Sequence, residues 1–209
     1  MAHADDETLG AGGTIVHLLK MGWDVDVVLL TDGAVSTRGE TIQDNCSSAH
    51  QACKILGCTP PTILGFADQK FDTYPIADVA NEVFKLGHSP DLIITHSPHD
   101  LNGDHRITFD VAMIVGRPRR KQVSILSAEI PKNNFWNGQA FNPNFFVDVT
   151  EYMPQKLRAF EAYTNEIKDY PHAFSIGGLE LLARYHGFHA GFEMAEGFHM
   201  VRGYSGSLP

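Results

Sequence analysis

The sequence predicts an α/β fold: a three-layer, Rossmann-like, mostly parallel sheet with helices on both faces. Apolar runs of strand length alternate with helix-length periodic segments from residue 9 to residue 128, which is the signature of βαβ units. Several helical segments stop at a glycine, as a helix with a left-handed C-terminal residue does. The 209 residues, 43% apolar and 20% charged, have the length and composition of one globular domain, taken as residues 1–209.

The elements follow in order. Residues 9–21 place apolar side chains at 15, 16, 18 and 19 and stop at Gly22, giving the first helix. WDVDVVLLTDG (23–33) alternates and then runs apolar, a buried strand ending near Thr31. After a loop, residues 44–56 form a helix closed by Gly57, and PTILGF (61–66) is a short strand. Pro75 opens a helix closed by Gly87. DLIITH (91–96) is the cleanest buried strand, followed by a helix over 104–115 and a strand at 123–128. Beyond Pro131 the alternation gives way to a long loop, NNFWNGQAFNPN, and a strand, FFVDV. Thr150 is expected to cap a helix to about Lys168, and Ser175 one to about His186. No internal repeat and no linker interrupts the chain.

One element is missing from that pattern. A doubly wound sheet needs a central strand before the helix at 9–21, where this chain has Met1 and Ala2. The expectation is a truncated first strand, with the natural chain starting roughly ten residues earlier, and a gap beside the fourth strand that loosens whatever the first one positions.

A formal charge of −9 and a pI near 5.6 argue against a general nucleic-acid binder. The basic cluster RPRRK (117–121) is short and reads as a solvated turn. No run of 18 apolar residues and no signal-peptide pattern is present, so a cytoplasmic protein without a transmembrane segment is the default. Cys46, Cys53 and Cys58, spaced by seven and five, support neither a disulfide framework nor a C-x-x-C pair. The aromatic loop NNFWNGQAF suits either a substrate rim or a homo-oligomer interface.

The glycines at 10, 12 and 13 lack the third glycine of a dinucleotide fingerprint, since residue 15 is isoleucine, and no Gly-Lys-Ser/Thr follows them. They are read as close packing of helix on sheet. HADD (3–6) offers a histidine and two carboxylates. THSPHDLNGDHR (95–106) gathers His96, His99, Asp100, Asp104 and His105 behind the cleanest strand. In an open α/β sheet the loops after strands one and four meet at the switch point, where ligands bind. Two histidines and a carboxylate around an open position suit catalytic Zn²⁺, and the same set describes an Fe²⁺ facial triad. Adjacent Asp5 and Asp6 cannot easily both face one metal: one should ligate and the other act as base. His186, His189 and His199 are read as carbonyl-bonded or solvated, His172 as a loop residue, and Glu196 and Arg184 as buried partners holding the tail.

The opening AHADDETLGAGGTI is similar to A-H-P-D-D-E-x-x-G-x-G-G-T-I, and LNGDHR to an H-x-D-H motif, of the LmbE-like (PIG-L) family of metal-dependent N-acetylglucosaminyl de-N-acetylases. TDG, LGFADQKFDT, FNPNFFVDV and ARYHGFHAGFEMAEGFHMVR also resemble segments of its bacterial members. The resemblance implies zinc ligands at His3, Asp6 and His105, a general base at Asp5 and an orienting carboxylate at Asp104. It implies hydrolysis of an N-acetyl group from an amino sugar or its conjugate. The chain departs from the pattern at three places: Ala4 stands for proline, Asn102 stands for the first histidine of H-x-D-H, and QDNCSSAH replaces a substrate-binding run. His99, His96 or Asn102 is then the expected donor to substrate, and Arg38 the nearest cation. The alternative reading is a catalytically impaired member of the same fold that holds a metal or ligand.

Overall fold

In the computed structural model, residues 1–37, 40–119, 121–136, 138–205 and 208 are described, and side chains at 35–37 and 40–43 are left aside. The elements are α1 (Asp6–Lys20), β1 (Val28–Thr31), β2 (Ala34–Thr37), β3 (Glu40–Asp44), α2 (Cys46–Leu56), β4 (Thr62–Phe66), α3 (Ile76–Lys85), β5 (Leu92–His96), α4 (Gly103–Val115), β6 (Ser124–Ala128), α5 (Asn133–Trp136), β7 (Phe145–Asp148), α6 (Met153–Phe160), α7 (Ile176–Ala190) and β8 (Ala195–Arg202).

The parallel pairs β1/β4 and β5/β6 carry the predicted alternation, and β8 extends the second pair antiparallel to both β6 and β7. Three sheets result among the described residues: β1-β4, the hairpin β2-β3, and β5-β6-β8-β7. Met1 and Ala2 lie on the free edge of β1 in a parallel ladder: the Met1 amine donates to Val28 O, Leu30 N–H to Met1 O and Thr31 N–H to Ala2 O. Those two residues do the work of a strand end, setting where His3 leaves the sheet. One apolar cluster, with α1, α2, α6 and α7, runs from Ala4 to Phe198; a second, with α3 and α4, includes Leu30, Phe71, Val79 and Val111. The sheet is thus covered on both faces.

The glycines of α1 are packing devices. A Cβ on Gly13 would stand 2.7 Å from Val149 Cγ1, and one on Gly10 would stand 3.1 Å from Ala128 Cβ. A side chain at Gly13 would force Val149 to shift, and one at Gly10 would press on Ala128 and Ile130 more tightly than ordinary contact.

Four expectations are corrected. The helix begun at Thr150 starts at Met153, because the Thr150 hydroxyl donates to Asp148, and it ends at Phe160 rather than Lys168. Beyond Phe160 the chain turns so that the buried Tyr163 hydroxyl reaches Glu7 Oε1 at 2.6 Å. The hairpin β2/β3 and strand β8 were not read from the sequence, and the loop after Pro131 contains α5. α7 continues to Ala190, capped by Gly191 in the left-handed region. Arg184 is exposed, 3.5 Å from Glu193; Glu196 is buried and takes Lys156 as its partner at 2.6 Å.

Candidate metal centre

Three elements converge on one point. His3 and Asp6 lie at the entry to α1. His96 ends β5. His105 sits in the first turn of α4, whose N-terminus is capped by Asn102 Oδ1 accepting from Asp104 N–H at 2.9 Å.

His3 Nδ1 lies 3.0 Å from His105 Nε2 and 3.2 Å from Asp6 Oδ2, and His105 Nε2 lies 3.3 Å from the same oxygen. A tetrahedral ion with bonds of about 2.0–2.1 Å spaces its ligand atoms by about 3.3–3.4 Å, so these three atoms already have the edges of one face. The opposite ring nitrogens fix the tautomers. His105 Nδ1 faces Asp100 Oδ2 at 2.9 Å, and His3 Nε2 faces Asp68 Oδ1 at 3.1 Å and Asp104 Oδ2 at 3.2 Å. A neutral ring with its proton on that outward nitrogen would present its inward lone pair to the same point, the state in which each histidine could bind an ion. The donor set therefore fits a zinc-type ion with a fourth position open.

Two other groupings are close enough to hold an ion, His96-Asp100-His105 and His3-Asp68-Asp104, but their atoms are already engaged. Asp104 accepts from Gln69 N–H at 2.7 Å and Phe71 N–H at 3.1 Å, so it ties the loop after β4 to α4. His96 Nε2 accepts from Ala2 N–H at 2.8 Å, and its ring stacks on His105 with centroids 3.9 Å apart.

Asp5 belongs to none of these sets. It holds φ 142°, a strained value for a side-chain-bearing residue, while its carbonyl accepts from Thr8 and Leu9 to start α1. Burial, with Asp6 and Glu166 adding like charge, raises its pKa well above the carboxylate range. Asp6 goes the other way: burial opposes its ionisation, but His105 and His96 hold it well below that range. Burial would deprotonate His3, and its bonds to Asp104, Asp6 and Asp68 outweigh it and raise the pKa well above the usual value.

The remaining site residues divide. His3, Asp5, Asp6, Asp104 and His105 are brought together as expected. His99 is exposed, its amide bonded to Ser97, and belongs to none of the three groupings. Asn102 spends its Oδ1 on the α4 cap. Arg38 lies outside the described residues. His186, expected at a helix end near solvent, is buried with Nε2 2.8 Å from Glu129 Oε2. Sequence reasoning missed Asp68 and Asn133, whose Nδ2 stands 3.4 Å from His105 Nδ1. It also missed Glu7, which accepts from Tyr163, Thr8 and the Asp5 amide. Asp68 and Glu7 had a signal, the one in its place in the LGFADQKFDT segment and the other as the last residue of AHADDE.

A Rossmann-like fold that gathers a His-Asp-His group able to hold an ion, with a buried aspartate beside it, defines an α/β protein with a candidate metal site. Comparison narrows the class. Residues 1–115 match the PIG-L family, GlcNAc-PI de-N-acetylase, and the chain belongs to that family. Over 218 residues it is 25% identical to diacetylchitobiose deacetylase of Thermococcus kodakarensis, covering 96% of this chain and 81% of that one. Among solved structures it is similar to N,N'-diacetylchitobiose deacetylase from Pyrococcus horikoshii, with TM-score 0.77, 23% identity and coverage of 95% and 80%. It is also similar in fold to GalB, the 4-carboxy-2-hydroxymuconate hydratase from Pseudomonas putida, with TM-score 0.73, 18% identity and coverage of 97% and 96%.

Proposed function

We propose that this chain is a metal-dependent hydrolase that removes an N-acetyl group from an amino sugar or sugar conjugate. The observation that carries the reading is the convergence of His3 Nδ1, Asp6 Oδ2 and His105 Nε2 within 3.3 Å of one another, with Asp5 buried beside them and outside the set. An ion held by those three atoms, Zn²⁺ or Fe²⁺, would supply Lewis acidity to the acyl oxygen and lower the pKa of the attacking water. Asp5 Oδ, with its raised proton affinity, takes the proton of that water and delivers it to the departing amine nitrogen. Asp100 and the Asp68/Asp104 pair hold the two imidazoles in the tautomers the set needs, and Asp104 also positions the 69–71 loop. Three thiols that form no disulfide fit a reducing compartment such as the cytoplasm.

The test is acetate and amine release from a panel of N-acetylated sugars by metal-loaded protein, with metal analysis deciding between Zn²⁺ and Fe²⁺. Asp5→Asn is expected to keep the metal and lose at least about 100-fold in turnover; His105→Ala is expected to lose the metal. Normal turnover by Asp5→Asn would falsify the assigned mechanism. A second reading, a binding member without turnover, is favoured by Asn102, whose Oδ1 caps α4 where the family pattern has a histidine. It predicts metal binding and no amine from any substrate. The hydratase on the same fold adds a further control, since hydration of an alkene releases no acetate.

A further inference from the structure

Two of the three cysteines meet at the end of α2. The helix stops at Gly57, held in the left-handed region at φ +92°, and Cys53 O accepts from Gly57 N–H at 2.9 Å and from Cys58 N–H at 3.1 Å. The bond from Cys58 back to Cys53 marks a Schellman helix end, where the side chains of those two positions pack on each other. Here both side chains are thiols. A spacing of five, which supports no pairing when read as sequence, becomes direct contact: the two thiols interact with each other, and Cys58 Sγ also lies 3.5 Å from Cys53 O. With the amide of one residue 3.1 Å from the carbonyl of the other, their Cα atoms can be no more than about 7 Å apart, the outer limit for a disulfide. The turn is held from outside as well, since Gln155 Nε2 on α6 donates to Ile55 O at 2.8 Å and Leu56 O at 3.1 Å.

The two thiols differ as a reactive pair requires. Cys53 is buried in the core, whereas Cys58 packs at its edge, partly exposed, between exposed Gly57 and exposed Thr59 and Pro60. The Cys53 S–H beside it lowers the Cys58 pKa although burial opposes this, and the same bond, with burial, raises that of Cys53. Cys46 is unlike both: burial and then Asp44 push its thiol up to about 11. A soft metal does not suit the pair. Among the described residues no histidine or carboxylate joins these sulfurs in a metal-holding group, and Glu7, whose charge acts on both, gives its oxygens to Tyr163, Thr8 and the Asp5 amide.

We propose that Cys53 and Cys58 form a reversible redox modification site, oxidised by hydrogen peroxide to an intrachain disulfide. The Cys58 thiolate attacks one peroxide oxygen, forming S–O and breaking O–O, and the displaced hydroxide takes a proton from solvent to become water. Cys53 Sγ then attacks Cys58 Sγ: S–S forms, S–O breaks, and the hydroxide leaves with the Cys53 proton as a second water. The two sulfurs lose two electrons and the peroxide gains them. A thiol reductant reverses the change, so in a reducing compartment the pair rests as thiols. Cys53 thereby stops Cys58 short of the irreversible sulfinic acid. The site holds whether or not the chain deacetylates.

The test treats the full chain with hydrogen peroxide, alkylates it unfolded with iodoacetamide and measures its mass. One alkylated cysteine, Cys46, is expected in place of three, with a return to three after dithiothreitol. The paired thiols should be lost at least about tenfold faster than the Cys46 thiol. Cys46→Ser is expected to keep the bridge. Cys53→Ala is expected to carry Cys58 on to a sulfinic acid that dithiothreitol does not restore. Three alkylated cysteines in the peroxide-treated parent, loss of Cys46 as fast as the pair, or disulfide-linked dimers in place of the intrachain bridge would overturn the site.

Discussion

Glu196 and Lys156 form a buried ion pair that grips α1 in mid-helix, and its removal has a cost that can be worked out in advance. Glu196 accepts from Gly13 N–H at 2.9 Å, Thr14 N–H at 2.7 Å and Lys156 Nζ at 2.6 Å; Lys156 also donates to Leu9 O at 2.8 Å. Both side chains are within the protein, 5% and 6% exposed, so solvent screening is small. Removing one partner of such a pair costs about 3–5 kcal/mol. Lys156→Met leaves the carboxylate two amide donors and belongs at the low end, about 3 kcal/mol. Glu196→Gln leaves the ammonium facing little besides the Leu9 carbonyl and belongs near about 5 kcal/mol. The double variant buries no charge, and its cost is expected near about 2 kcal/mol, well below the sum of the singles. Urea unfolding followed by circular dichroism measures all three, and Lys156→Met is expected to lower Tm by about 6–12 °C. A single variant within about 1 kcal/mol of the parent, or a double variant equal to the sum, would refute the assignment of α1 to this pair.

Other expectations follow from the same packing. Gly13→Ala forces a Cβ to 2.7 Å from Val149 and is expected to cost about 1–3 kcal/mol, measurable by the same unfolding, whereas Gly22→Ala, with nothing within 4 Å, should be limited by its φ of +86° alone. Asp104→Ala frees the Gln69 and Phe71 amides; a loss of about 2–4 kcal/mol is expected, with Asp104→Asn recovering part of it, and equal stability of all three proteins would mean the tie is idle. A chelator should lower the Tm of metal-loaded protein and leave His105→Ala unaffected; a drop of similar size in the variant would place the ion elsewhere.

Much of this was legible because it is written locally. Glycine stops and apolar runs fixed the helices from α1 to α4 and the strands between them, and the switch-point rule brought His3 and His105 together across more than a hundred residues. What escaped is set by tertiary partners. β8 is buried at both Ala195 and Glu196, so its sequence shows no alternation, and its glutamate reads as surface until Gly13 and Lys156 are seen around it. The helix after Thr150 has apolar residues at 159, 160, 163 and 167 that suit continued helical spacing, yet Glu7 captures Tyr163 and the chain turns. Asp5 and Asp6 could not be separated by spacing, because the difference lies in which carboxylate faces three imidazoles.

The grip of Glu196 on Gly13 joins residues 183 positions apart, and that separation carries a consequence in time. A ribosome adding about 5–20 residues per second makes the helix bearing Asp6 roughly ten to forty seconds before the strand that steadies it. Through that interval α1 is without the carboxylate that receives its Gly13 and Thr14 amides, so the helix bearing Asp6 reaches its final setting only after the last strand has been made.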